Sequence, residues 1–346
     1  MQEQSDQKLK VLTWHIHGNY LYYLSQADVD FYLPVREGRT NGYGGRAGSF
    51  PWGENVHEVE ADKVKELDLD IILFQSAQNY LEDQYEILSE EQRRLPKIYI
   101  EHDPPREHPT DTKHVVDDPD VLLVHVTHFN NLMWNSNSTP TQVINHGVII
   151  PDGPSYTGEI DKGIVVVNNL KKRGRRLGLD VFEYVRKKVP LDLVGINAKE
   201  VGGLGEMPYQ ELHKLTSQYR FFFNPIRYTS LGLSVCEAMM VGLPIVGLAT
   251  TEMAVTVKNH INGFAHTDVD FLVKKMKYLL DNPDDAETLG RNSADYAREH
   301  FSINRFSKEW KATFRNWSEL MQNRKGRSAE IESKYHQEEL YDEKSV

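Results

Sequence analysis

Short apolar runs alternate along the chain with segments whose apolar positions recur at helical spacing. That is the pattern of βα units wound around parallel sheets. In the first half, Lys10–Ile16, Asp70–Gln75, Lys97–Glu101 and Val121–Val126 read as strands, with Val143–Ile144 in another. They are short and rich in β-branched residues, as suits strands covered on both faces. Asn79–Arg94 reads as helix. Gly38–Gly53 holds six glycines together with Arg39 and Arg46. It is too long for a plain connector and predicts a functional loop or a mobile lid.

A stretch rich in Pro, Gly and acidic residues, Ile150–Asp161, interrupts the pattern and reads as an interdomain linker. A second alternating series follows. Strands are expected at Gly163–Asn168, Leu191–Val194, Arg220–Asn224, Pro244–Leu248 and Gly263–His266. Helices are expected at Arg175–Lys188, Pro208–Gln218, Leu233–Val241 and Met253–Lys258, then at Phe271–Leu280, Ala286–His300 and Ile303–Gln322. The polar, charged tail 323–346 is expected to fray. The chain thus divides into an α/β domain over 1–150, a second over 151–302, a closing helix over 303–322 and the tail. Two doubly wound, Rossmann-like domains imply a cleft between them, with ligands at the carboxyl ends of the strands.

Composition narrows the function. At 346 residues the chain is long enough for two domains, and 40 Lys+Arg against 51 Asp+Glu leave a net charge of −11. An acidic chain is poorly suited to binding nucleic acid, which requires many phosphate-neutralising cations. A single cysteine, Cys236, rules out an internal disulfide and a multi-cysteine zinc cluster. No apolar run approaches the ~20 residues of a membrane span, and Met1–Lys10 lacks the apolar core of a signal peptide. The expectation is a soluble cytoplasmic protein, with peripheral contact at the inner membrane surface left open.

The richest chemistry lies in Tyr228–Gly247, YTSLGLSVCEAMMVGLPIVG. Small residues at Ser230 and Gly232 allow a tight turn into a helix whose first amides are unpaired. Such a helix start attracts phosphate. Glu237 falls one to two turns in, where a carboxylate suits the neutral hydroxyls of a ribose diol. The alternative on spacing alone is an ordinary buried βα unit.

LGLSVCEAMMVGLPIVG, followed by the turn Asn262–Gly263–Phe264, resembles the C-terminal signature of the retaining GT-B glycosyltransferases of group 1, or family 4. The resemblance implies that Glu237 binds the ribose of a nucleoside diphosphate sugar. It implies that the amides of Gly232 and Leu233, with the turn Thr229–Ser230–Leu231, meet the diphosphate and the sugar. The first Glu of the family pattern falls on Thr229, which carries no charge, a departure that bears on the donor sugar.

Asn168–Gly178 packs Lys171, Lys172, Arg173, Arg175 and Arg176 into six residues between a strand and a helix. Cations crowded at a helix start oppose its dipole, so the cluster invites an anion. The resembled family places an Arg and a Lys here against the leaving diphosphate. Arg173 takes the Lys place, the Arg place falls near Asn169, and Lys172 or Arg176 can supply the missing charge.

In the first domain, Gly18 follows the opening strand between His17 and Asn19, where a backbone can approach a ligand closely. The resemblance puts donor and acceptor beside this loop. Glu101–Pro105 carries His102, able to exchange protons near neutral pH, and Asp103. In the family a histidine at this place touches the donor sugar, and Asp103 can orient it or meet the acceptor. His102, His108 and His114 recur every six residues but share no helical face, so no metal site is expected. Phe306, Trp310, Phe314 and Trp317 form a core stripe on the last helix, which in the resembled fold crosses back onto the first domain.

These readings imply transfer of a sugar from a nucleoside diphosphate to a hydroxyl on a glycan, a lipid-linked glycan or a small molecule, with retention and without a metal or further cofactor. The alternatives are a nucleotide-sugar epimerase of the same fold and a non-catalytic sugar-nucleotide-binding subunit.

Overall fold

A computed structural model describes residues 8–151 and 153–342. The first unit contains strands β1 (Lys10–Thr13), β2 (Asp30–Val35), β3 (Val56–Glu60), β4 (Ile71–Phe74), β5 (Lys97–Glu101), β6 (Val121–His125) and β7 (Thr141–Val143), with helices α1 (Gly18–Leu24), α2 (Gln84–Ile87) and α3 (His128–Met133). All seven strands are parallel, in the order β3-β2-β1-β4-β5-β6-β7. β4 and β6, each with a strand on either side, are buried at every position, as suits parallel strands covered on both faces.

The second unit runs β8 (Ile160–Val166), α4 (Leu170–Arg173), α5 (Leu179–Val185), β9 (Leu191–Val194), α6 (Tyr209–Thr216), β10 (Tyr219–Asn224), α7 (Leu233–Val241), β11 (Ile245–Leu248), α8 (Met253–Thr256) and β12 (Gly263–His266). Helices α9 (Val269–Asp281), α10 (Pro283–His300) and α11 (Ile303–Asp342) complete it. Its five parallel strands lie in the order β12-β11-β10-β8-β9. Gly242 ends α7 at φ 101°, a left-handed cap that glycine adopts without penalty.

Two strands escape the hydrophobic pattern. β3 lies at the sheet edge and reads VHEVE, with its polar residues partly exposed. β2 carries Pro34 past the end of its pairing with β1 at Tyr32, on the side where a missing N–H breaks no ladder bond. The expected long helix over Arg175–Lys188 is shorter, because Gly174 and Gly178 break it into α4, a tight turn and α5. Asn79–Arg94 is likewise a wide turn, the short α2 and a tighter turn rather than one helix. The tail expected to fray from Asn323 instead continues α11 to Asp342, and 343–346 lie outside the described residues.

α11 packs against the first sheet. Phe306 meets Tyr20 and Phe314 meets Phe31 at ring separations of 5.6 and 6.1 Å. Thr313 accepts a hydrogen bond from Gln142 at 2.9 Å, and Arg305 donates to the carbonyls of Asn145 and His146. One apolar cluster therefore runs from β1 and α1 through α11 into α7 and β11. The carboxyl ends of both sheets are brought to a shared junction.

Candidate functional site

The basic coil after β8 is stitched to the turn that leads into α7. Arg227 donates from its amide to the Arg176 carbonyl at 3.0 Å, and Tyr228 does so at 3.3 Å. The Arg227 guanidinium takes both oxygens of Asp180 at 2.6 and 2.8 Å, and Arg175 donates to the same carboxylate at 2.5 Å. Of the five clustered cations, Arg175 is therefore paired with Asp180, and Lys171 and Lys172 are exposed. Arg173 and Arg176 are half-buried. Burial, reinforced by Arg176 and Arg106 against an opposing pull from Asp103, lowers the Arg173 pKa. Asn169 is spent on local structure: at φ 55° it precedes α4, and its side-chain oxygen accepts from Asn197 at 2.7 Å.

The start of α7 lies beside this coil. Gly232 precedes the helix with an ordinary φ of −66°, and no side chain caps the helix. A Cβ at Gly232 would meet nothing closer than Ser234 Oγ at 3.5 Å, so the fold itself does not demand glycine there. Its absence of side chain keeps the first amides of α7, including that of Leu233, bare to an approaching group. Ser230 and Leu231 are buried and Thr229 is half-buried. The Ser230 carbonyl accepts from Thr251 at 3.2 Å, and that of Leu231 accepts from His146 of the first unit at 2.9 Å.

Glu237 is 4% exposed and aimed at the junction. Its Oε1 accepts from the Tyr23 hydroxyl of α1 at 2.6 Å, and His213 Nε2 lies 3.5 Å from Oε2. Burial would raise its pKa, but His213, Tyr23 and Asn19 outweigh that and hold it below the usual carboxylate range. Tyr209 stands beside them, its hydroxyl 2.9 Å from that of Tyr23 and 2.7 Å from the Ile149 carbonyl. The carboxylate is thus engaged by protein groups from both units, and Asn19 sits on it rather than apart at an acceptor site.

Across the junction, His17 and His102 approach to 4.3 Å between rings, and Tyr20 meets the His102 ring edge-on at 4.6 Å. His102 Nε2 lies 3.2 Å from Gln75 Oε1. Burial, then the neighbouring His17 and His146, push its pKa well below the ordinary value, so the ring is neutral. Enclosure lowers His17 as well, with Arg106 and Arg173 overriding part of the pull from Asp103. The mutual influence of His17, Asp103, Arg106 and Arg173 places the basic coil of the second unit opposite these first-unit loops. Asp103 pairs with Arg106, and its carbonyl accepts from the Trp134 indole at 2.8 Å. Gly18 opens α1, where an added Cβ would come within 3.1 Å of Phe50.

Residues that the motif reading misses complete the site: Tyr23, Tyr209, His213, His146, Arg106 and Arg227. Arg106 was visible beside EHDPP. The others lie on elements far apart in sequence, and only the three-dimensional packing joins them.

A 270 Å³ groove lies between α11 and the β6–β7 edge, and a 30 Å³ pocket beside His146 and Leu231. Neither is lined by Glu237, Arg173 or His102. Among the described residues no group of three or more His, Cys, Asp or Glu side chains is disposed to hold a metal ion, and no helix is long and apolar enough to cross a membrane.

Two parallel α/β units meeting at the carboxyl ends of their sheets, tied by a returning terminal helix, form the GT-B fold of glycosyltransferases. Residues 196–296, from the turn after β9 into α10, match the family model described as glycosyl transferases group 1. The trehalose synthase of Thermococcus litoralis is 28% identical over 151 residues, covering 36% of this chain and 37% of that protein. The trehalose synthase of Pyrococcus horikoshii is 29% identical over 116 residues, 34% of this chain and 25% of that one. The matches thus span well under half the length of these relatives. Among solved structures, a sucrose-phosphate synthase from Thermosynechococcus elongatus superposes with a TM-score of 0.67 at 13% identity, covering 90% of this chain and 98% of the other. The Anabaena protein HepE in complex with UDP-glucose gives 0.64 at 13% identity, covering 89% and 100%. At such identities the likeness bears on the fold.

Proposed function

We propose that the chain is a glycosyltransferase that moves a sugar from a nucleoside diphosphate to a hydroxyl acceptor. The observation that carries this reading is the convergence of Arg173, Arg176, the bare start of α7 and Glu237 at one junction, facing His17 and His102. Cations and helix-start amides on one wall suit a diphosphate, and a buried carboxylate one to two turns in suits hydroxyls.

In this reading Arg173 and Arg176, with the amides of Gly232 and Leu233, stabilise the charge that develops on the departing diphosphate. Thr229, Ser230 and Leu231 shape the sugar pocket, with Lys172 on its outer rim. His102, neutral and hydrogen-bonded to Gln75, is suited to a sugar hydroxyl rather than to donating a proton. The acceptor hydroxyl attacks from the face that the diphosphate leaves, and its proton passes to the leaving phosphate oxygen. The glycosidic bond to phosphate breaks as the new one forms, with retention of configuration. These groups supply the charge stabilisation without a metal. His17 and Asp103 border the acceptor side, and apposition of the two units excludes water. Soluble cytoplasmic residence, with contact at a membrane surface where the acceptor is lipid-linked, fits the absence of a spanning helix among the described residues. A role in glycan or polysaccharide synthesis follows if the acceptor is a glycan.

The test is a thermal-shift panel of UDP-, GDP-, ADP- and dTDP-sugars, followed by acceptor trials with the stabilising donor. Stabilisation by one donor with transfer to an added acceptor supports the reading. Consumption of donor without acceptor points to an epimerase. Binding without turnover points to a non-catalytic subunit, which Thr229 at the family's first Glu position would suit. Absence of any shift sinks the nucleotide site.

A further inference from the structure

Glu237 is assigned here to a ribose diol, yet the structure gives that carboxylate a hydroxyl of its own. Tyr23, fully buried on α1, donates to Oε1 at 2.6 Å, the short distance of a charge-assisted O–H bond. Tyr209 stands against Tyr23 and also holds the Ile149 carbonyl at the end of the first unit. Around them Tyr22 stacks on Phe50 at 5.3 Å, and Phe50 approaches Tyr209 at 5.3 Å. Oε1 is thus taken by the Tyr23 hydroxyl, on a carboxylate that is only 4% exposed. His213 meanwhile is 2% exposed, and neither ring nitrogen makes a well-formed hydrogen bond among the described residues. A buried imidazole so poorly served, 3.5 Å from Oε2, marks a polar site whose best partner is missing.

We propose that Tyr23 is a displaceable stand-in for the ribose on Glu237, so that donor binding requires α1 to release α7. The proposal rests on the nucleotide-donor reading above. The two occupants compete for one carboxylate, so the affinity measured for a nucleotide is reduced by the fraction of molecules in which Tyr23 is bound. When α1 withdraws it takes Tyr23 and Asn19 off the carboxylate together, leaving Oε1 to a diol and the His213 imidazole near Oε2. The device makes specificity for the nucleoside depend on what its hydroxyls offer beyond a phenol. A ligand with phosphate but no ribose gains nothing from opening it.

The experiment is calorimetric titration of the wild type and Tyr23→Phe with UDP, GDP, ADP and dTDP. The phenylalanine keeps the ring packed and removes only the competing hydroxyl. One nucleotide is expected to bind the variant about tenfold more tightly, the scale of a single charged hydrogen bond. Equal or weaker affinity in a variant that melts like the wild type overturns the stand-in. Failure of both proteins to bind any of the four overturns the donor reading itself. Should Tyr23→Phe not fold, hydrogen exchange on the wild type decides: saturating nucleotide should speed exchange in residues 18–24, and slowed or unchanged exchange there refutes the release of α1.

Discussion

His146 Nε2 donates to the carbonyl of Leu231 at 2.9 Å, joining the loop after β7 to the residue before the Gly232 cap of α7. The same histidine is held from behind, where Arg305 of α11 binds its carbonyl and that of Asn145. The terminal helix, the first unit and the start of α7 are therefore linked through one imidazole. Burial drives its pKa down to about 4, partly offset by the Leu231 bond, so the neutral ring donates throughout the physiological range.

Stability is expected to fall as the pH drops below about 6.5. His146, His125, lowered to about 3, and His102, lowered well below its ordinary value, stay neutral in the folded protein, in each case mainly through burial. Once unfolded they take up protons near pH ~6.5. The unfolded state then binds more protons, and each histidine costs up to ~1.4 kcal/mol per pH unit down to its folded pKa. Glu237, depressed when folded, adds a loss as the pH falls from the unfolded carboxylate value through the folded one. Urea midpoints at pH 7.5, 6.5 and 5.5 test this, and a flat profile contradicts it. His125 has both nitrogens buried without a hydrogen bond, so His125→Leu should reduce the slope.

Arg173→Gln is expected to reduce turnover about a hundredfold while leaving donor KM within a few-fold. In the proposed reading this half-buried guanidinium serves chiefly the charge that develops as the diphosphate departs, so its loss would show in kcat. Steady-state kinetics with the stabilising donor give both constants. Equal losses in kcat/KM through KM alone would make Arg173 a simple anchor. Lys172→Gln, at an exposed position, should change kcat less.

Phe306→Ala is expected to destabilise the protein by about 3–5 kcal/mol, the cost of emptying a large core position. Its ring is fully buried, meets Tyr20 edge-on at 5.6 Å and joins the apolar cluster shared by the two units. Denaturant unfolding measures the loss. A change under 1 kcal/mol would show that α11 is only loosely seated on the first unit.

The α/β alternation, most strand positions and the group 1 signature were legible because buried parallel strands and a small-residue turn into a helix leave local marks. β9, α7 and β12 fall where the hydrophobic pattern puts them. β3 was not legible, since an edge strand that alternates polar and apolar residues resembles a loop in a reading tuned to continuous apolar runs. The same limit applied at the site. Arg173, Arg176 and Glu237 belong to segments with strong local chemistry. Tyr23 sits in NYLYYL, which reads as core, and nothing in its neighbourhood signals a carboxylate in the other unit. His213 and Tyr209, four residues apart on α6, read as one face of an amphipathic helix. The polar partners of a cleft come from opposite walls, so their pairing is a property of the junction and not of either segment.

Glu101 positions the turn that carries His102, and its replacement should show a kinetic effect larger than its structural cost. His114 Nδ1 accepts from the Val116 amide at 3.0 Å, which leaves Nε2 as the donor to Glu101 Oε2 at 3.1 Å. Glu101 Oε1 in turn accepts the Asp103 amide at 2.8 Å. A carboxylate with an acceptor on each side satisfies two donors, whereas a glutamine presents an amide to one of them. Glu101→Gln should therefore let the His102–Asp103 backbone shift, lowering kcat by about tenfold for roughly 1–3 kcal/mol of stability. Steady-state kinetics and urea unfolding of the variant separate the two. A destabilised protein with unchanged kcat would assign the Glu101–His114 pair to holding the loop alone, while recovery of activity in Glu101→Asp would point to the carboxylate's aim.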